Sequence, residues 1–333
     1  MTTSAPPDHA APAARPRPLG ASRRARRRRR RFAVGGLFVA IVLVAVAVGL
    51  AANRSSTTGS APTTTLAVPA DFSANWQSVV GEAAIRTRVG PTNPDRLKTV
   101  DGDFTALVPG QTFENVAVRG TIRVTASNVT IRNFTARNVE IAPDAREITL
   151  ERGRLDGLGN PKNTTDGVSF NDFTARGLEI SRQIDGFKAM GNVTIEDCWV
   201  HDLNGLRGPG TGAGDYSHND AVQVSVGSNV AIRRNRFERP GLNSAVFVDA
   251  DQGPISNVLI ENNFLDGGTF TLYVIKSRSA PQNGMPEDVV VRNNIFGSAA
   301  IYGAATIGPG VTFTGNVTEQ GRPVTAKADD ESQ

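Results

Sequence analysis

Five short phrases put chemically capable side chains at fixed places: Asp166-Gly-Val-Ser-Phe, Asp185-Gly-Phe-Lys-Ala, Asp220-Ala-Val-Gln-Val, Ser244-Ala-Val-Phe-Val and Phe270-Thr-Leu-Tyr-Val. Their first position reads Asp166, Asp185, Asp220 and Ser244, and their fourth reads Ser169, Lys188, Gln223, Phe247 and Tyr273. If successive phrases stack, Asp185 and Asp220 become neighbours. Two carboxylates that close either share a cation or push one pKa upward, and both outcomes suit catalysis. Oxygen ligands of this kind suit Ca²⁺, which makes Asp185 and Asp220 the candidate metal ligands. Lys188, His218 and Asp220 form the candidate acid–base cluster. Gln223, Phe247 and Tyr273 add an amide and two flat rings, the surface chemistry that contacts sugars.

Each aspartate could instead cap the turn before its strand. Asp-Gly is a common turn pair, which favours the cap for Asp166 and Asp185. Asp220, preceded by Ser217-His218-Asn219, stays open between site and cap. Residues 201–219 form the longest insertion, with five glycines and two of the three histidines at its ends. Long insertions in repeat proteins often carry binding function. His201 itself, at the end of a strand, reads as structural.

The elements that must position these residues are also repetitive. Asn-Val-x-Ile recurs at Asn128, Asn192, Asn229 and Asn257, with weaker copies at Asp288 and Gly310. From Val193 the spacings are 37, 28, 31 and 22 residues. Each copy is a short β-branched strand bounded by Asn, Gly or Asp. A third phrase follows, as in Asn133-Phe134, Arg236-Phe237, Phe264-Leu265 and Ile295-Phe296. Two or three strands per unit and units of variable length describe a β-solenoid. Asn235, Asn263, Asn294 and Asn316 align at one position, where stacked amides would hydrogen-bond to one another; Cys198 shares that column as a small buried thiol. Val168, Phe187, Val222, Val246 and Leu272 are then the inward residues, and the fourth positions face out. On that basis Lys188, His218, Asp220 and Gln223 are expected on one outer face.

Residues 110–133 (GQTFENVAVRGTIRVTASNVTIRN) resemble the opening coil of right-handed parallel β-helix proteins of the pectate-lyase-like superfamily. So do Asp185-Gly-Phe-Lys, Gly191-Asn-Val-Thr-Ile-Glu-Asp, His201-Asp202-Leu203 and Ser217-His218-Asn219-Asp220-Ala-Val-Gln223. The likeness covers about residues 100–320 and implies an all-β, right-handed parallel β-helix of extracellular type. The longer signatures of pectate lyases are absent, as are the acidic pairs with Gly-His-Gly of polygalacturonases, so no specific reaction is implied.

The 333 residues carry a net charge of +4, but ten arginines and one acid lie in residues 1–31. The remainder holds 26 basic and 31 acidic residues, which speaks against a nucleic-acid partner. One cysteine excludes an internal disulfide. Residues 32–52 run without a charge for 21 residues, enough at roughly 1.5 Å each to cross a hydrocarbon core of about 30 Å. The arginine block places the N-terminus in the cytoplasm and the rest outside. The length favours a retained single-pass anchor; the alternative is a cleaved signal and a secreted product. The expected order is a basic disordered tail (1–31), the anchor (32–52), a Ser/Thr/Pro-rich stalk (53–70), an N-terminal cap (71–110), the β-helix (111–325) and a short disordered tail (326–333). Two functional readings remain. One is a cell-surface protein that binds and processes a polysaccharide as a lyase, epimerase or hydrolase, with Ca²⁺ as a cofactor; the other is a non-catalytic glycan-binding or structural module.

Overall fold

A computed structural model of the chain describes residues 71–158, 165–205, 217–238, 240–241 and 243–329. The basic tail, the expected anchor at 32–52, the stalk and the last four residues lie outside the described residues, as does most of the glycine-rich insertion. Among the described residues no helix is long and apolar enough to cross a membrane.

The strands coil into a parallel β-helix. One sheet holds ten strands, each paired in parallel with the strand one coil away, from Phe104–Ala106 to Lys327–Ala328. A second, sixteen-stranded sheet wraps the other sides. Its two flanks share the long strand Ile148–Asp156, whose first half pairs with Phe173–Arg176 and second half with Glu179–Ser181. The core is one continuous file of aliphatic side chains and single Phe rings between the sheets. In the ten-stranded sheet it reads Ile122, Val139, Val168, Phe187, Val222, Val246 and Leu272, all fully buried and in register.

Turn chemistry explains the repeated asparagines. Asn128, Glu147, Asp172, Asn192, Asn229, Asn257 and Asp288 share one register position, and every one has φ between 50° and 63°. Gly310 continues the column at φ 83°. Asn and Asp tolerate this left-handed conformation better than other side chains. A second left-handed column, including Asn133, Gly177, Asp197, Arg234, Asn262 and Asn293, bends each coil before the third phrase.

The residue after that bend starts the inner ladder. Asn263 Oδ1 accepts from the Asn235 backbone N–H at 2.9 Å, and Asn263 Nδ2 donates to the Ile232 carbonyl at 2.9 Å. Asn235, Asn294 and Asn316 repeat the arrangement, and Cys198 closes it, its backbone N–H donating to Asn235 Oδ1. Burial holds the Cys198 thiol far above its ordinary pKa, so it stays protonated.

The segment expected to cap the first coil lies along the flank instead. Helix α1 (Phe72–Val80) packs Phe72, Val79 and Val80 beside Phe264 and Ile295, and Trp76 stacks on Phe264 with ring centroids 5.3 Å apart. Helix α2 (Glu82–Arg86) sets Ile85 against Trp199. Farther on, the Gly90 N–H donates to the Gly177 carbonyl and the Thr92 N–H to Asn133 Oδ1. The strap therefore runs from late coils back to early ones before winding begins. The two-residue strands on this flank leave aromatic rings that an apolar helix face must cover.

Replacing Asn263 with Ala leaves the Asn235 N–H and the Ile232 carbonyl buried without partners. Denaturant titration should show a loss of about 2–5 kcal/mol. Asn257→Gly, on the exposed asparagine column and compatible with its positive φ, should change stability by under about 1 kcal/mol.

Candidate functional site

The outward face of the ten-stranded sheet carries the fourth-position side chains. Ser169, Lys188, Gln223, Phe247, Tyr273, Thr306 and Lys327 form one column, with one residue per coil. Adjacent coils are about 4.8 Å apart. Over the later coils this column is the floor of a groove of ≈ 1030 Å³. One wall comes from the turns before the strands and the first residue of the strand Phe270–Ile275, and holds His218, Asn243, Phe270 and Tyr302. The other comes from strand ends and the turns after them, with Asp249, Ile275, Arg278, Ser279 and Asp329.

The groove is aromatic. Phe247 and Phe270 each meet Tyr273 edge to face at 5.3 and 5.4 Å, and Phe270 lies 6.0 Å from Tyr302. The Tyr273 hydroxyl is fixed by Thr269 Oγ1 at 2.7 Å, and burial raises its pKa. Ile301 and Tyr302, 65% and 61% exposed, extend the apolar rim. Lys327 Nζ donates to the Tyr302 carbonyl at 2.7 Å and sits 5.2 Å from the Phe270 ring.

The aspartates occupy a different environment. Asp166, Asp185 and Asp220 stack one per coil at the corner before the strands, where the Gly167 N–H bonds the Asp185 carbonyl and the Gly186 N–H the Asp220 carbonyl. Asp185 Oδ1 accepts from the Asp220 backbone N–H at 2.9 Å, as Asp103 Oδ1 does from Thr121. Asp220 accepts from Asn243 Nδ2 at 2.9 Å and from the Ser244 hydroxyl. Lys188 folds over the corner, its Nζ 3.3 Å from Asp185 Oδ2 and 4.0 Å from Asp166 Oδ1.

Asp220 was expected on the outer face, but it is fully buried. Alternation gives the reason: Asp220 stands two residues before Val222 and shares its inward parity, as Asp185 shares that of Phe187. Lys188 and Gln223 are half-buried neighbours in the outer column. His218 is exposed on the groove wall. Phe247 and Tyr273 line the groove, whereas Lys188, Asp185 and Asp220 do not. The expected cluster is thus split between a groove and a sealed corner.

Burial, chiefly, raises all three corner carboxyls: Asp166 to about 7, Asp185 in the same direction, and Asp220 well above its ordinary range. The Lys188 ammonium already supplies the cation between Asp166 and Asp185, and the Asp220 oxygens are engaged by Asn243 and Ser244. Asp185 and Asp220 therefore do not fit a Ca²⁺ site. Among the described residues no group of three or more His, Cys, Asp or Glu side chains is arranged to hold a metal ion.

Asp249 escaped the sequence reading. It closes the strand Ser244–Asp249 two residues after Phe247, so it shares that residue's outward parity. That parity was the available signal. Its Oδ1 is buried with no hydrogen-bond partner, and burial, with Asp251 and Asp329 adding to it, raises its pKa to about 6.

No family model matches this chain, and no curated protein matches it. Among solved structures it is similar to the Dettilon tailspike protein, at 9% identity and a TM-score of 0.30 over 66% of this chain. The chain spans 61% of the tailspike's length. It is also similar to the mannuronan C-5 epimerase A-module of Azotobacter vinelandii, at 14% identity and a TM-score of 0.25, over 73% of this chain and 95% of that one. The β-helix itself rests on the parallel register of its coils.

A carboxyl with a raised folded-state pKa contributes stability that is complete below its unfolded pKa and is lost as pH rises through the folded value. Asp220→Asn removes one such group. Thermal melts from about pH 4 to about pH 8 should show the variant gaining on wild type as pH rises. Parallel curves would exclude the raised carboxyl.

Proposed function

We propose that this protein is a polysaccharide-binding β-helix whose ligand lies along the coil axis in the aromatic groove. The observation that carries this reading is the floor of the groove, where Phe247 and Tyr273 stand on adjacent coils in one outward column. Coil spacing of about 4.8 Å is close to the rise of one sugar in an extended chain, so successive rings can meet successive sugars. Pyranose C–H faces pack on aromatic faces, and hydroxyls find the Asn243 amide, Thr306, Ser279 and the charged wall residues. Gln223 would prolong the floor toward earlier coils.

The rest of the sequence reading belongs to the same proposal. The coil winds right-handedly, as parallel crossovers do, and the pectate-lyase-like resemblance applies to this domain. Residues 32–52 anchor it in the membrane with residues 1–31 inside and the β-helix outside, where a wall or surface glycan is the partner. Processing centred on Lys188, His218 and Asp220 has less support. Lys188 is held by two carboxylates and Asp220 is sealed from solvent, so only His218 could reach a ligand in the groove.

Affinity electrophoresis of the purified protein against immobilised polysaccharides tests the reading. For a retained glycan, Phe247→Ala and Tyr273→Ala should each weaken retention roughly tenfold, about 1.4 kcal/mol. Thr194→Ala, on the other sheet, should leave it unchanged. Equal retention by all three variants would place the ligand elsewhere.

A further inference from the structure

Asp249 is a half-buried groove residue with one carboxyl oxygen left without a hydrogen-bond partner. Its Oδ1 is out of solvent and meets no donor, a costly arrangement for a carboxyl. The Ser277 hydroxyl acts on the Asp249 carboxyl, but among the described residues no cation is paired with it, whereas Asp166 and Asp185 share the Lys188 ammonium. A carboxyl with a raised pKa on the wall of a cleft is a candidate functional group. Asp249 also stands where a bound chain would pass: Phe247 is two residues away on the same strand, and Tyr273 is one coil beyond Phe247.

We propose that Asp249 is the proton donor in hydrolysis of a glycosidic bond, acting on a neutral polysaccharide held in the groove. This rests on the groove being a glycan site, and adds to it a reaction and a substrate class. A sugar stacked over Phe247 and Tyr273 would present its linking oxygen to the wall that carries Asp249. The acid donates its proton to that oxygen as the bond to the anomeric carbon breaks, the electron pair leaving with the oxygen. Water then adds its oxygen to the anomeric carbon and releases a proton to solvent, from which Asp249 is reprotonated. One water is consumed and one reducing end appears.

The charges around Asp249 select the substrate. Asp251 follows it in the same turn, and Asp329 approaches from the last described coil; both act to raise its pKa. From the next coil come the Ser277 hydroxyl, which acts in the opposite direction, Lys276 and the exposed Arg278. On the preceding side its register neighbour is the buried, uncharged Ser225. Lys327 lies farther along the floor, tied to the Tyr302 carbonyl. Asp251 and Asp329, the two charges that act on Asp249, disfavour a uronate beside it. Without a sugar carboxylate to acidify the neighbouring C–H, β-elimination has no substrate, which leaves hydrolysis. With its pKa at about 6, Asp249 keeps its proton in mildly acidic solution.

The test uses the purified full-length protein and a panel of dextran, amylose, galactomannan, arabinogalactan, pectin and alginate. Retention is measured first, then new reducing ends and unsaturated ends. The expected result is retention of a neutral member with release of reducing ends, at a rate that falls as pH rises through about 6. Asp249→Asn should lower that rate at least about a hundredfold while retention stays within about threefold and the melting temperature does not fall. His218→Ala, as a comparison, should keep the same pH limb. Retention without reducing ends, an unimpaired Asp249→Asn variant, or unsaturated ends from pectin or alginate would overturn the proposal while leaving the binding groove intact. Retention of no glycan at all would overturn both.

Discussion

The constraint on which everything else depends is the rung-to-rung register of the parallel coils. A one-residue slip would turn every inward valine outward, so hydrophobic burial alone already penalises it. The inner asparagine ladder makes the penalty steeper. Each amide accepts from the preceding coil's backbone N–H and donates to a carbonyl, and a slipped coil would leave both buried and unpaired. Two left-handed corners per coil complete the device, because only residues tolerant of positive φ fit there. Coil length can then vary freely in the remaining turns, from 17 residues between Thr121 and Asn138 to 37 between Thr194 and Ala231.

Register also converts sequence distance into spatial order on the outer face. Phe247 and Tyr273 are 26 residues apart in sequence, yet they are side-by-side floor residues. The walls follow from where the variable turns fall: His218, Asn243 and Tyr302 precede their strands, and Arg278 and Ser279 follow theirs. The corner aspartates obey the same geometry from the inner side. Asp185 accepts the N–H that starts the next strand, Asp220 takes side-chain donors from the coil after it, and Lys188 pairs with Asp166 and Asp185. A stack of acids that looks catalytic in sequence is thereby occupied with holding the corner.

This division explains what could be read in advance. The inward column from Val168 to Leu272 and the outward column from Ser169 to Tyr273 follow from alternation plus the recurrence of one phrase, and both are legible without coordinates. The same alternation, carried two residues back, would have placed Asp220 inside; carried two residues forward, it would have placed Asp249 outside. The strap was not legible as such. Its helix pattern shows an apolar face but not which surface receives it, and the receiving rings, Phe264 and Trp199, come from strands of two and three residues. The groove walls were illegible for a related reason, since turns of unequal length have no repeat from which to infer their position.

The account stands on the claim that one side chain per coil lines a single glycan-binding groove. The most direct measurement is a crystal structure of the protein soaked with an oligosaccharide that it retains. The account requires the sugar chain to run along the coil axis over Phe247 and Tyr273, with a linking oxygen within hydrogen-bond reach of Asp249. A chain bound across the coils, or on the flank covered by α1 and α2, would contradict it.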